Sequence, residues 1–191
     1  MATSNYHHGD LRAAALATGL RMLGERSADE LGLRELAREL GVSATALYRH
    51  FPNKHALLSA LAAEGVEAMG AAQRQANRKA GGGESGFAAM GIAYVEFAVT
   101  NPALFRLMFR RAADVDLLEG DIDTVGSAMR GLRETVAGLT PAAMSDRTRK
   151  AAALRAWSLV HGLACLILDG QIEYDAAMVR KVVSSQSVLN D

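Results

Sequence analysis

Residues 41–54 read GVSATALYRHFPNK, and they lie in a segment from which acidic residues are excluded. No Asp or Glu occurs between Glu39 and Glu64, although the whole chain holds 21 acidic and 21 basic residues. The segment keeps Arg49 and Lys54, together with two histidines. Because the chain as a whole is neutral, any contact with a polyanion must come from a local patch of this kind.

The same residues have the sequence pattern of a helix-turn-helix. A short apolar stripe ends at Gly41, and the small side chain of Ala37 lets two helices approach closely. Glycine can take the positive φ that reverses the chain at this point. Ser43 can cap a second short helix over about 44–50, in which Leu47 points back onto the first helix. The pattern therefore predicts two short helices, the second of which has an outward polar face.

An outward helix face without carboxylates suits the major groove of a DNA duplex. Lys54, at the start of the following helix, is placed to meet a phosphate. Ala44 and Thr45 provide a single hydroxyl, so we expect modest base discrimination, and Arg49 can serve either a guanine or a phosphate. The predicted DNA contacts are Ser43, Ala44, Thr45, Tyr48, Arg49, His50 and Lys54. A solvated helical hairpin that happens to lack acids is the other interpretation of the pattern.

Helical spacing of apolar residues also dominates the rest of the chain, which has three prolines and no alternating β-branched runs. The sequence therefore predicts an all-α fold. An N-terminal, three-helix, helix-turn-helix DNA-binding domain is expected over 1–55, and a connecting helix over 56–80. A larger helical domain for effector binding and dimerisation is expected over 87–191. The Gly-rich residues 81–86, GGGESG, are predicted to be a linker.

The segment 147–169 is predicted to be the strongest helix, and it carries apolar residues along two seams. A helix that is apolar on two sides is buried on two sides, so one side needs a partner outside the chain's own core. A final helix over 175–188 has a similar apolar face. We therefore expect a homodimer formed through helices 147–169 and 175–188.

Residues 33–61, LRELARELGVSATALYRHFPNKHALLSAL, closely resemble the DNA-binding segment of the TetR family of transcriptional regulators. Three further stretches resemble one subgroup of that family, whose C-terminal domain is named for a Trp-His-Gly (WHG) motif. They are YHHGDLRAAAL at 6–16, NPALFRLMF at 101–109 and WSLVHG at 157–162.

This resemblance implies a homodimeric repressor that binds a palindromic DNA operator. It also implies a small apolar effector, bound by the C-terminal domain, that releases the DNA. Carried over by position, Tyr48 and Lys54 become phosphate contacts, while 44–46 and His50 face or flank the bases.

Most of the aromatic residues follow the Gly-rich stretch. As a set they can line an apolar cavity between helices, the usual form of a ligand site. His161 is the expected polar anchor, and the effector is expected to be apolar and either neutral or anionic. Ordinary core packing is the other interpretation of each residue. The predicted ligand-binding residues are Tyr94, Phe97, Phe105, Met108, Phe109, Trp157 and His161.

Other kinds of chemistry find little support in the sequence. His161 and Cys165 can lie side by side one helical turn apart, but Cys165 lies in an apolar run that keeps a thiol inert. The N-terminal histidines are interpreted as an arm leading into a first helix that Asp10 can cap. Residues 114–123, DVDLLEGDID, lack the terminal Glu of a calcium loop. We therefore expect no enzyme, no cofactor and no metal site.

The chain also lacks the marks of a secreted or membrane protein. A single cysteine suits a reducing compartment. The N-terminus has no apolar signal segment, and the longest apolar run falls short of the roughly 20 residues of a membrane helix. We expect a cytoplasmic protein with no membrane partner. The alternative function is a helical dimeric ligand-binding or protein-interaction module that does not bind an operator.

Overall fold

The computed structural model describes residues 8–111 and 126–184, and these ranges consist of helices joined by short connections. No strand occurs within them, which confirms the predicted all-α fold. The helices are α1 (His8–Leu23), α2 (Leu33–Glu39), α3 (Ala44–Tyr48), α4 (Lys54–Lys79), α5 (Gly83–Thr100), α6 (Pro102–Arg111), α7 (Ser127–Leu139), α8 (Asp146–Leu168) and α9 (Ala176–Ser184).

The prediction of a linker over 81–86 was wrong, because α5 already begins at Gly83. Gly81, Gly82 and Gly83 have φ of 84°, 74° and 60°, a left-handed conformation that side chains other than glycine rarely adopt. The Gly82 amide also donates to the carbonyl of Asn77 at 3.0 Å, which closes the C-terminal end of α4. The glycines therefore make a tight turn between two helices.

Other helix ends also differ from the predicted ones. Helix α1 begins at His8, so Asp10 lies inside the first turn and not at the cap. Helix α3 ends at Tyr48, two residues earlier than predicted. The acidic residues 114–123 lie outside the described residues.

By their contacts, the described residues form two compact units. Unit 1 contains residues 8–65 and Ala103–Arg111, and unit 2 contains Val66–Pro102 and 126–184. Helix α4 runs without a break through the boundary at Gly65. Helix α6 follows the Gly-rich turn in sequence but belongs to unit 1.

In unit 1, leucines from α2, α3 and α4 form a closed apolar core. Leu36, Leu47 and Leu57 have no exposed surface. Helix α6 approaches α4 closely at Gly65, where a Cβ would lie 2.8 Å from Met108 Sδ. A side chain at that position would force the two helices of unit 1 apart.

In unit 2, α5 is the central helix and contacts α7, α8 and α9. A glycine lets it approach α9, since a Cβ on Gly91 would lie 2.7 Å from Val183 Cγ1. The core where α5, α7 and α8 meet consists of Phe87, Val136, Ala153 and Ala156.

Helix α8 is the one unbroken helix of the described ranges that is long and apolar enough to cross a membrane by length and composition. The core helix of a soluble protein passes the same test, and α8 packs against α5 and α7. Only 22% of its apolar stretch is buried, however. Much of α8 is therefore open to a partner.

Candidate functional site

The turn between α2 and α3 has the predicted helix-turn-helix geometry. Gly41 adopts φ +67°, and the Val42 amide donates to the Ala37 carbonyl at 3.0 Å, which closes the end of α2. The Ser43 hydroxyl accepts the Ala46 amide at 3.2 Å and so caps α3. The roles predicted for Gly41 and Ser43 in the turn are confirmed.

Helix α3 buries one side and exposes the other. Leu47 is 0% exposed and anchors the helix on α2, as predicted. Tyr48 is 43% exposed, a high value for a tyrosine, and lies on the outward side with Thr45 and Arg49. Ala44, His50 and Lys54 are partly exposed, and Ser43 is exposed. The structure therefore places all seven predicted DNA contacts in one continuous segment with access to solvent.

The acidic side chains of unit 1 near this segment are largely neutralised by arginines. Arg21 pairs with Glu39 and Glu25, and Arg26 pairs with Glu35. Asp29 pairs with Arg110 of α6 at 3.2 Å. Spacing along the chain does not predict the last of these pairs, because Asp29 and Arg110 are 81 residues apart.

The cations of the candidate DNA face are placed differently. The Arg49 side chain forms no ion pair or hydrogen bond with any of the described residues. The Lys54 ammonium donates to the Asp29 carbonyl at 2.5 Å, which holds it beside the loop before α2 and leaves further N–H donors for an anion. A second cation, Arg12, lies over the Phe51 ring at 5.7 Å. The arrangement presents positive charge where the acids are already paired.

In unit 2 the structure joins three of the predicted ligand-binding residues in a hydrogen-bonded cluster. The Tyr94 hydroxyl lies 2.8 Å from His161 Nδ1, and Trp157 Nε1 donates to that hydroxyl at 3.3 Å. Cys165 Sγ lies 3.6 Å from His161 Nε2. Phe97 is partly buried on the same helix as Tyr94.

The remaining predicted residues belong to the other compact unit. Phe105, Met108 and Phe109 lie on α6 in unit 1. The Phe105 and Phe109 rings contact one another at a tilt of 54° with centroids 4.8 Å apart, and Met108 packs at Gly65. Phe105 and Met108 are buried and Phe109 is partly buried, but apolar character did not predict which unit they belong to.

Burial keeps the cluster neutral. Loss of solvent contact raises the pKa of Tyr94 well above its ordinary value, and it lowers the pKa of His161. With His161 uncharged, one ring nitrogen accepts and the other donates. The cluster can therefore offer a ligand neutral donors and acceptors.

Burial of His161 predicts a pH-dependent stability. The unfolded chain protonates this histidine near pH 6.5, while the folded protein does so at lower pH. His161 should therefore make its full contribution to the free energy of unfolding above the pKa of the unfolded chain. That contribution should decrease as the pH drops from about 7.5 to about 5. When its stability is measured by urea unfolding, the His161→Gln variant should lack this part of the dependence of the unfolding free energy on pH. His55→Gln, at an exposed histidine, should keep the wild-type slope.

Two family profiles match the chain. "Bacterial regulatory proteins, tetR family" matches residues 15–61, and "Tetracyclin repressor-like, C-terminal domain" matches residues 87–185.

Three solved structures are similar. A protein of unknown function from Rhodococcus sp. RHA1 is 30% identical over 96% of this chain and 95% of its own, with a TM-score of 0.77. A tetR-family transcriptional regulator from Streptomyces coelicolor is 21% identical over 92% of this chain and 78% of its own, with a TM-score of 0.64. The TetR family repressor AlkX from Dietzia sp. strain DQ12-45-1b is 17% identical over 89% of this chain and 92% of its own, with a TM-score of 0.52. The last two share the fold.

Proposed function

Because this chain belongs to the TetR family of transcriptional regulators, we propose that it represses transcription from a palindromic operator and is released by a small apolar effector. Members of the family are DNA-binding regulators, and they typically dimerise and bind small ligands. We also propose the WHG subgroup, on the basis of Trp157, His161 and Gly162, and a cytoplasmic location.

The outward face of α3 is the observation that carries the proposed DNA binding. It presents Thr45, Tyr48 and Arg49 without a carboxylate, and Arg49 has no partner among the described residues. Tyr48 and Lys54 would contact phosphates, and Arg49 would contact a guanine or a phosphate. In a homodimer the two copies of α3 must lie roughly 34–36 Å apart to enter successive major grooves.

The experiment that tests operator binding is selection from a random duplex library with the purified protein at moderate salt. Enrichment of a palindrome with half-sites about one helical turn apart would support a dimeric repressor. No enrichment, with or without added cell extract, would instead favour a ligand-binding module without an operator.

The effector is proposed to bind in unit 2, where Tyr94, Trp157 and His161 combine apolar surface with a few polar groups. In this proposal residues 1–55 bind DNA, and residues 56–80 form the helix that connects the two domains. Residues 87–191 bind the effector and form the dimer. Effector binding and DNA binding are then linked reciprocally, since each ligand must weaken the other by the same factor.

Exposed apolar side chains on α8 and α9 support the proposed dimer interface. Leu166 is 47% exposed and Met178 is 53% exposed. A Cβ on Gly162 would meet nothing within 4 Å, so no helix of the described chain approaches α8 there. The other large apolar side chains exposed in this region are Leu154, Ile172 and Tyr174. We propose that a second copy covers this surface through helices 147–169 and 175–188.

Leu166→Glu should convert the proposed dimer to a monomer, because a carboxylate would be buried at the interface without a partner. The folded protomer should survive, since Leu166 is exposed in it. Sedimentation measures the mass and circular dichroism the helicity. Ala71→Glu, at an exposed position of α4 in unit 2 and outside the proposed interface, should remain dimeric. A dimeric Leu166→Glu protein would place the interface elsewhere.

A further inference from the structure

Gln73 is a buried glutamine on α4 whose hydrogen bonding is incomplete. It lies in unit 2 and is 7% exposed. Its Nε2 donates to the Met90 carbonyl of α5 at 3.4 Å, while its Oε1 has no partner among the described residues. The carbonyl fixes the orientation of the amide, because the flipped amide would place two acceptors against each other.

An unpartnered buried acceptor lowers the stability of the folded state, and native proteins contain few of them. The nearby hydroxyl of Thr135 does not serve Gln73. It donates to the Gly131 carbonyl at 2.7 Å and also contacts Met90 Sδ at 3.4 Å. Gln73 Oε1 is therefore a buried acceptor for which the described part of the chain supplies no hydrogen-bond donor.

Buried methionine side chains lie on both of the helices that the Gln73 amide connects. Met69, one turn earlier on α4, and Met90 of α5 are both buried, and methionine side chains repack readily. One turn later, Asn77 Oδ1 is a second buried acceptor without a partner among the described residues. The buried side chains of the described ranges include no Lys or Arg, so no buried cation is present there to balance an anion.

We infer that Gln73 Oε1 accepts a hydrogen bond from the effector. The effector is then a neutral apolar molecule that carries a hydroxyl or N–H donor. A carboxylate is excluded at this position, since it would bring a second acceptor to an oxygen that already lacks a donor. The sequence predicts an effector that is either neutral or anionic, and the inference restricts it to the neutral class. The inference rests on the proposed effector-responsive function.

Matched pairs of probes test the inference directly. In each pair, 1-octanol against methyl octyl ether and phenol against anisole, only the first molecule has a donor. Binding to the full-length protein is measured by calorimetry and by the fluorescence of Trp157, the single tryptophan. The wild type should bind at least one donor probe roughly tenfold more tightly than its partner, as one neutral hydrogen bond allows.

Gln73→Met removes the acceptor at nearly constant volume, and it should abolish the preference for donors. Its unliganded melting temperature should be equal to or above that of the wild type, because an unpaired group has been removed. Gln75→Met, at an exposed position of the same helix, is the control and should behave as the wild type.

Three outcomes would overturn the inference. They are an unchanged donor preference in Gln73→Met, a clear drop in its melting temperature without ligand, and failure of the wild type to bind any probe. Operator selection, run in parallel, separates this test from the proposed function. A protein that binds an operator but shows no donor preference refutes the role of Gln73 alone. A protein that prefers donors but binds no operator refutes the repressor alone.

Discussion

Replacing Arg49 and Lys54 together by glutamine should lower operator affinity by about a hundredfold or more at moderate salt. Arg49 is exposed and has no partner among the described residues, so its charge is available to DNA. Lys54 is held at the start of α4 by the Asp29 carbonyl. Each phosphate contact that is lost should also reduce the slope of log affinity against log salt by about 0.9. Fluorescence anisotropy with a labelled operator, at several salt concentrations, measures both effects.

The double variant Arg78→Gln, Lys79→Gln is the matched control, because it removes the same charge at the other end of α4, in unit 2. Its affinity should stay within about twofold of the wild type, the change expected when only the long-range field is altered. Thermal unfolding of both double variants checks that the Lys54 contact is not needed for folding. Equal losses of affinity in the two would mean that α3 and the start of α4 do not form the DNA face.

The helix-turn-helix could be predicted because its determinants are local. Ala37, Gly41, Ser43 and Leu47 lie within eleven positions of one another, and the hydrogen bonds that close the turn join residues three to five apart. Patterns of spacing, capping and glycine conformation describe interactions over this range. The exclusion of acids from the same segment is the reason this face is proposed to bind DNA.

The placement of α6 could not be predicted in the same way. Phe105 and Phe109 are apolar and follow the Gly-rich turn, so their sequence position favoured the C-terminal domain. Helix α6 instead packs on α4 within unit 1, where Gly65 leaves room for Met108. Apolar character predicts burial, but the choice of partner depends on contacts distant in sequence.

Gln73 illustrates a second limit of the sequence. On a long helix a glutamine is expected to face solvent, and the exposed Gln75 follows that rule. Only the packing of α5 against α4 shows that Gln73 is buried beside the Met90 carbonyl. The position of Gln73 one turn after the buried Met69 was the available signal, since it continues the buried face of α4.

Leu47→Ala should destabilise unit 1 by about 2–5 kcal/mol and should abolish operator binding. Leu47 is fully buried and is the only residue of the five in α3 that is buried. A helix of five residues is not stable alone, so α3 depends on this side chain for its position on α2. Loss of the contact between Leu47 and α2 should therefore lower both the stability of unit 1 and the affinity for DNA.

Leu47→Met is the control for this prediction, because it keeps the volume and the apolar character of the side chain and should cost less than about 1.5 kcal/mol. Urea unfolding followed by circular dichroism measures stability, and anisotropy with the selected operator measures binding. Leu36→Ala, at another fully buried leucine of unit 1, should shift the same unfolding transition. If Leu47→Ala lost stability but kept wild-type affinity, DNA would be able to order α3 by itself, and the recognition helix would not need to be preformed.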